Sequence, residues 1–299
     1  MNITFQPLSE LPIHQASELW NQCFEGYVSN MSMPADRFLA RIVQECLALE
    51  HSLACYVDEQ PAGIVMNSLR DDDGILSAWN RGTAIKPEFR GQGVGKALML
   101  RNLELYKQLG VRRAHLEAIT TNDNAVQLYT NIGYGIRDRL VILSTEKPLR
   151  HVDDTFNPYS IIKGRGMETM TIPWFVNGDI WQNSLPSLKD ADLAIVQDQD
   201  GAAGFALFKQ SFDSSGLLSS IALFRCEVRP GHSAATAVRR AALQAVWPST
   251  FEGKRMAFNI RRSDAGLLEL LAELGFTETM EQLFMVKEMG LTGGPMKRD

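Results

Sequence analysis

The chain has 299 residues, 45% of them hydrophobic and 22% charged, a composition that fills the cores of two ordinary domains. The net charge is −5 and evenly shared, 15 basic and 17 acidic groups in residues 1–150 against 15 and 18 in the rest. That balance excludes the basic asymmetry of a nucleic-acid or anionic-membrane binder. Cys23, Cys46, Cys55 and Cys226 form no CxxC pair and the five histidines no HxxxH pair, so neither a zinc ribbon, a disulfide framework nor any other metal site is expected. No run of 18 apolar residues exists and the N-terminus lacks the pattern of an export signal, so a cytoplasmic location is expected.

In chain order, "ITFQPL" reads as a first strand, and "PIHQASELWNQCF" and "ADRFLARIVQECLAL" as helices by their apolar spacing. "SLACYVDEQPAGIVMNSLRD" reads as two strands joined at Glu59–Pro61, and "GILSAWNRGTAI" as a fourth. The intervening Asp71–Asp73 run reads as a solvated loop rather than a metal site. A helix from about Gly93 to Leu109 follows, then strand "RAHLEAI", helix "NDNAVQLYTNIG" and strand "RLVILST". The order implies a mixed α/β sheet over residues 1–146.

Residues 147–166 are polar and proline-containing and read as a linker. A similar pattern then returns over 167–299. One helix near 179–190 precedes a hairpin in "LAIVQDQDGAAGFALFKQ", the strand "SSIALFRCEV", the helix "AATAVRRAALQAVW", the strand "MAFNIRR", the helix "AGLLELLAELG" and a closing strand "LFMVKEM". "AIKP" aligns with "EVRP" and "LYTNIGY" with "LLAELGF"; Pro87 to Gly133 is 46 residues, Pro230 to Gly275 is 45. The second half reads as a duplicate of the first.

The stretch "EFRGQGVGKALM" sets Gly91, Gly93 and Gly95 at the mouth of a helix, directly after a strand and a proline. The first amides of a helix lack internal partners and carry partial positive charge, so they accept an anion if no Cβ stands in the way. Arg90 and Lys96 add charge. The spacing is neither G-x-G-x-x-G nor a Walker loop, since Gly95-Lys96 is followed by Ala97.

"IKPEFRGQGVGKAL" resembles the (Q/R)-x-x-G-x-(G/A) pyrophosphate loop of the Gcn5-related N-acetyltransferase superfamily, with Arg90, Gly93 and Gly95 in its three places. "NDNAVQLYTNIGY" resembles the family's second signature through Asn122, Ala125, Leu128, Tyr129, Gly133 and Tyr134. The resemblance implies two such domains, each a mixed, mostly antiparallel twisted sheet flanked by helices. It implies acetyl-CoA as cosubstrate, its pyrophosphate on the amides of Gly91, Gln92, Gly93, Val94, Gly95 and Lys96, with Asn122 nearby. The pantetheine would lie beside Thr83, Ala84 and Ile85.

The resemblance also makes Tyr129 the acid that protonates the CoA sulfur, its alternative being a tyrosine that only packs a helix on the sheet. Glu117, an acid in an otherwise apolar strand, is the candidate base; its alternatives are a strand-edge residue in water or a partner of Arg112 or Arg113. Phe24, Tyr27 and Trp79 are candidates for the acceptor pocket, or for ordinary core. The acceptor is expected to be a primary amine of a small molecule or peptide. A non-catalytic acyl-CoA-binding module is the alternative function. In the second half, "VRPGHSAATAVRRAAL" keeps Gly231 but puts Ala234 and Ala235 where open backbone is needed. Leu271 stands at the tyrosine position and Asp264 at the asparagine, so that half is expected to have lost the cofactor; a CoA site on a different loop is the other reading. Sequence says nothing of oligomeric state.

Overall fold

Alternating apolar residues make the strands, and i, i+3, i+4 spacing the helices, in the order the sequence suggests. A computed structural model describes residues 1–28, 30–72, 74–149 and 159–290; Asp73 and residues 150–158 of the expected linker lie outside them. The elements are β1 (Ile3–Pro7), α1 (Ile13–Cys23), α2 (Ala35–Gln44), β2 (Leu53–Val57), β3 (Gln60–Asp72), β4 (Ile75–Ile85), α3 (Val94–Gln108), β5 (Arg113–Ile119), α4 (Asp123–Asn131) and β6 (Gly135–Thr145). There follow β7 (Ser160–Arg165), α5 (Leu185–Leu188), β8 (Asp192–Asp198), β9 (Gly201–Phe212), β10 (Leu218–Val228), α6 (Ala235–Val246), β11 (Lys254–Arg261), α7 (Ala265–Glu273) and β12 (Thr277–Glu288).

Two compact units result. The first is Met1–Arg137 together with the chain from Leu283; the second is Asp138–Gln282. They interleave, where the sequence reading expected contiguous segments. The apolar side chains of β12 at Leu283 and Met285 pack in the core of the first unit, among Leu98, Met99 and Leu116. Val141 and Leu143 of β6 pack in the core of the second, with Leu223, Trp247 and Leu271.

In the first unit β1, β2, β3 and β4 run antiparallel, then β5 pairs with β4 in parallel. The turn joining β2 to β3 is Asp58–Glu59, both at positive φ, as a two-residue hairpin requires. Helices α1 and α2 cover one face, burying Trp20 and Phe38 on Ile64 and Met66. Helices α3 and α4 cover the other, burying Leu98, Met99 and Tyr106. Tyr106 Oη donates to Asn67 Oδ1 (2.6 Å) and Asn67 Nδ2 to Asn102 Oδ1 (2.7 Å), so the buried polar groups beside the β3–β4 irregularity are satisfied.

In the second unit the order is β6-β11-β10-β9-β8-β7. β7 lies inside the segment expected to be linker: it is a short edge strand whose side chains alternate between half-buried and exposed, too polar to stand out in sequence. The helix expected near 179–190 is two short turns, Trp181–Asn183 and α5, with Pro186 in the second. Both units share one device. A register shift on β4 leaves Arg81 as an extra residue, and the β4–β5 pairing covers only Ser77–Asn80 with Arg113–Leu116. A shift on β10 leaves Phe224 extra, and the β10–β11 pairing covers Ser220–Leu223 with Lys254–Ala257. Arg81 lies six residues before Pro87 and Phe224 six before Pro230, so the two bulges correspond. Bulges bend a strand away from its neighbour. Gly133 and Gly275 both end their helices at positive φ, with matched bonds from Tyr134 N–H to Tyr129 O and from Phe276 N–H to Leu271 O.

Candidate active site

Where β4 leaves β5, its residues Thr83, Ala84 and Ile85 pair with Val65, Ile64 and Gly63 on one side only. A single turn over Pro87–Phe89 then leads to the mouth of α3. Gly91 (φ +74°) and Gly93 (φ +83°) hold left-handed backbone there, and a Cβ on either would meet no atom within 4 Å among the described residues. Gly93 is the N-cap and supplies no side-chain cap, so the first amides of α3 face open space. Gly95 differs: its Cβ would sit 3.5 Å from Ile85 and 3.8 Å from Leu128, an ordinary contact that seats α3 on β4 and α4. Val94 is buried, while Gln92 and Lys96 are exposed; Gln92 Nε2 donates to Glu88 O (2.7 Å). The cradle fits a diphosphate.

Arg90 does something other than offer charge. Its Nε donates to Ile85 O (2.8 Å) and its Nη2 to Cys23 O (3.0 Å) and Glu25 O (2.6 Å). It therefore ties the end of α1 to the end of β4. This places the loop carrying Phe24 and Tyr27 beside the glycine turn. Trp20 and Phe24 meet at a tilt with centroids 4.1 Å apart, and Phe24 meets Tyr27 edge-on at 5.1 Å. Trp20 lies so close to Gly82 of β4 that a Cβ there would collide with its ring.

Tyr129, on α4, is 8% exposed. Burial pushes its phenol up to about 12, with Tyr27 adding to the rise and the Thr83 side chain drawing it back. Tyr129, Thr83 and Tyr27 are thus gathered at the opened end of β4, and the phenol keeps its proton at neutral pH. Asn122 caps α4, its Oδ1 accepting from Ala125 N–H (3.2 Å). Its counterpart Asp264 caps α7 in the same way through Leu267 N–H (3.3 Å), so the change from asparagine to aspartate keeps the helix start intact.

Glu117 is the first β5 residue past the last paired one and is buried. Its partner is Arg81, at 3.5 Å, rather than Arg112 or Arg113; Arg113 reaches Glu288 instead. Burial raises the Glu117 carboxyl, Arg81 opposes this, and the nearby Glu45 carboxylate raises it further. Its Oε1 is buried and has no hydrogen-bond partner among the described residues. Arg81 is shared: it also grips Glu45 (3.0 Å), which in turn holds Arg41 (3.1 Å). The two arginines overcome burial and lower the Glu45 carboxyl. Sequence reading missed Arg81 and Glu45. The available signal was an arginine inside an apolar strand beside a glycine. Trp79 stands apart from Phe24 and Tyr27, stacked on His115 at 4.4 Å and nearly parallel.

At the helix mouth of the second unit the N-cap amide is taken by a neighbouring side chain. Ala234 N–H donates to His232 Nδ1 (3.1 Å), and His232 Nε2, which must then carry the proton, donates to Asp198 Oδ2 (3.0 Å). Arg229 clamps the same carboxylate at 2.7 Å.

The model of the acetyltransferase (GNAT) family matches residues 13–134, spanning the glycine turn, Glu117 and Tyr129. This segment is similar to the GNAT acetyltransferases. A mycothiol acetyltransferase of Propionibacterium freudenreichii subsp. shermanii is 29% identical over 91 residues; that match spans 30% of this chain and 29% of the relative. Among solved structures, a tandem GNAT protein from the clavulanic acid biosynthesis pathway superposes over 98% of this chain and 100% of its own, with a TM-score of 0.63 and 14% identity. A GCN5-related N-acetyltransferase from Sphaerobacter thermophilus covers 96% and 95%, with a TM-score of 0.63 and 15% identity. At such identity these two show a likeness of fold alone, over nearly the whole chain. Among the described residues no group of acids, histidines and cysteines is arranged to hold a metal, and no helix is long and apolar enough to cross a membrane.

Proposed function

We propose that the protein is an acetyl-CoA-dependent N-acetyltransferase whose first unit acetylates a primary amine of a small molecule or peptide. The cosubstrate supplies an acetyl group activated as a thioester. Its pyrophosphate rests on the amides of residues 91–96, and its pantetheine amides bond the unpaired side of Thr83, Ala84 and Ile85. An amide of this stretch steadies the thioester oxygen as charge builds there.

Glu117 takes a proton from the acceptor ammonium, freeing the nitrogen lone pair to attack the carbonyl carbon. Its raised pKa makes it a better base than a solvent-exposed carboxylate, and its empty Oε1 is the atom that receives the proton. As the carbon–sulfur bond breaks, Tyr129 delivers its phenolic proton to the departing sulfur and regains one from the newly acylated nitrogen, which leaves a neutral amide. Phe24 and Tyr27, held by Arg90, line the acceptor side, and Trp79 closes the wall near His115.

The observation that carries this reading is the buried carboxylate with an unused oxygen on the opened strand pair, together with a buried, protonated phenol on the helix α4. A module that only held acyl-CoA would have no use for either group. The test is thiol release from acetyl-CoA across a panel of amines. Wild-type protein should release CoA with at least one amine. Tyr129→Phe should lower kcat by about ten- to ten-thousand-fold with little change in cosubstrate affinity. No amine-dependent release, or an unchanged kcat in the variant when chemistry limits the rate, contradicts the proposal.

A further inference from the structure

The opened strand pair of the second unit leads into a cavity of about 110 Å³. Counting back from Pro230 and Gly275 as from Pro87 and Gly133, Cys226, Asn259 and Asp264 correspond to Thr83, Glu117 and Asn122. All three line the cavity, which therefore stands where the first unit has its acid–base groups.

Two buried side chains in the cavity wall are half-satisfied. Arg225, 7% exposed, donates from Nε to Glu227 (2.8 Å) and from Nη2 to Val176 O (2.7 Å), and its guanidinium lies 5.0 Å from the Phe175 ring and 5.4 Å from that of Phe205. Its Nη1 has no partner among the described residues. A Cβ on Gly178, also in the wall, would stand 3.9 Å from this nitrogen. Asn183, 6% exposed, gives its amide hydrogens to Phe224 O (2.6 Å) and Phe258 O (3.0 Å), while its Oδ1 has no partner. A buried donor and a buried acceptor left open in one wall are costly unless something fills them.

Charge narrows what that is. Arg225 is neutralised by Glu227, and Arg261 by Asp138 and Asp179, so no free positive charge waits for a simple anion. Each wall carboxylate is paired as well, Glu227 with Arg225, Asp179 with Arg261 and Asp264 with Arg239, so no free charge of either sign waits there. A ligand of no net charge with one oxygen acceptor and one N–H donor satisfies both open groups without adding an unpaired charge. We propose that this cavity binds a small α-amino acid. One carboxylate oxygen accepts from Arg225 Nη1, and the ammonium donates to Asn183 Oδ1. The second unit is then a sensor, binding without chemistry, whether or not the first unit transfers acetyl groups.

Calorimetric titration of the whole chain with glycine and L-alanine, at concentrations on the order of 10 mM, tests this against acetate, methylamine and acetamide. One site per chain is expected for an amino acid, with each control at least about tenfold weaker. Arg225→Met should weaken binding at least about tenfold. Should that variant fail to fold by circular dichroism, Gly178→Leu, which fills the cavity from its wall, takes its place. No binding of either amino acid, equal binding of acetate or acetamide, or wild-type affinity in the folded variant overturns the proposal.

Discussion

Glu117 is an acid held in a place that does not suit its charge. Burial raises its folded-state pKa above the unfolded value, so the folded protein binds the proton more tightly, and ionisation costs stability as the pH rises through that window. Glu117→Gln removes this cost and leaves Arg81 paired with Glu45. The variant should lose most of kcat, yet its melting temperature at pH 7–8 should be no lower than that of the wild type. Scanning calorimetry beside the thiol assay checks this; a clear drop in melting temperature would make Glu117 a structural ion-pair partner instead. The glycines and Tyr129 could be singled out as candidates because they belong to local motifs, and Glu117 because it is an acid in an apolar strand. The duty of Arg90 could not. Its bonds to Cys23 and Glu25 span more than 60 positions, and no spacing rule reaches that far.

At the scale of elements, the site depends on one extra residue in β4. The bulge at Arg81 parts β4 from β5 and turns the guanidinium to where α2 brings Glu45 and β5 brings Glu117. Glu45 competes for Arg81 and its own charge raises Glu117. Glu45→Gln should therefore free Arg81 for Glu117 and lower the Glu117 pKa. The acidic limb of the pH–rate profile should move to lower pH; a limb that stays fixed or moves up would break the link. Sequence periodicity located all three elements but not the bulge, which is a matter of register between strands. It also overread 179–190 as a helix, where a proline and two short turns suffice to cover Phe205 and Leu207.

For the whole molecule, the closing strands decide which segments fold together. "RLVILST" and "LFMVKEM" are equally apolar, and nothing in either states which core it completes; only packing does. Leu283 and Met285 complete the first unit, so a chain cut after Gln282 should lose that unit's cooperative unfolding, and residues 1–146 alone should not fold stably. Circular dichroism melts of the two truncations test this, and a native-like melt for the 1–146 piece would contradict the assignment of β12. Duplication was legible from the matched Pro–Gly intervals. At the second helix mouth the alanines were visible in sequence, but the bonding of Ala234 N–H to His232 and of His232 to Asp198 needed the fold.

Titration of the full-length protein with CoA, wild type beside Gly93→Glu, tests the central assignment most directly. The glutamate would place a side chain and a negative charge on the amides meant for the pyrophosphate. One CoA per chain in the wild type and none in the variant is the expected result. Two per chain, or wild-type affinity in Gly93→Glu, would contradict it.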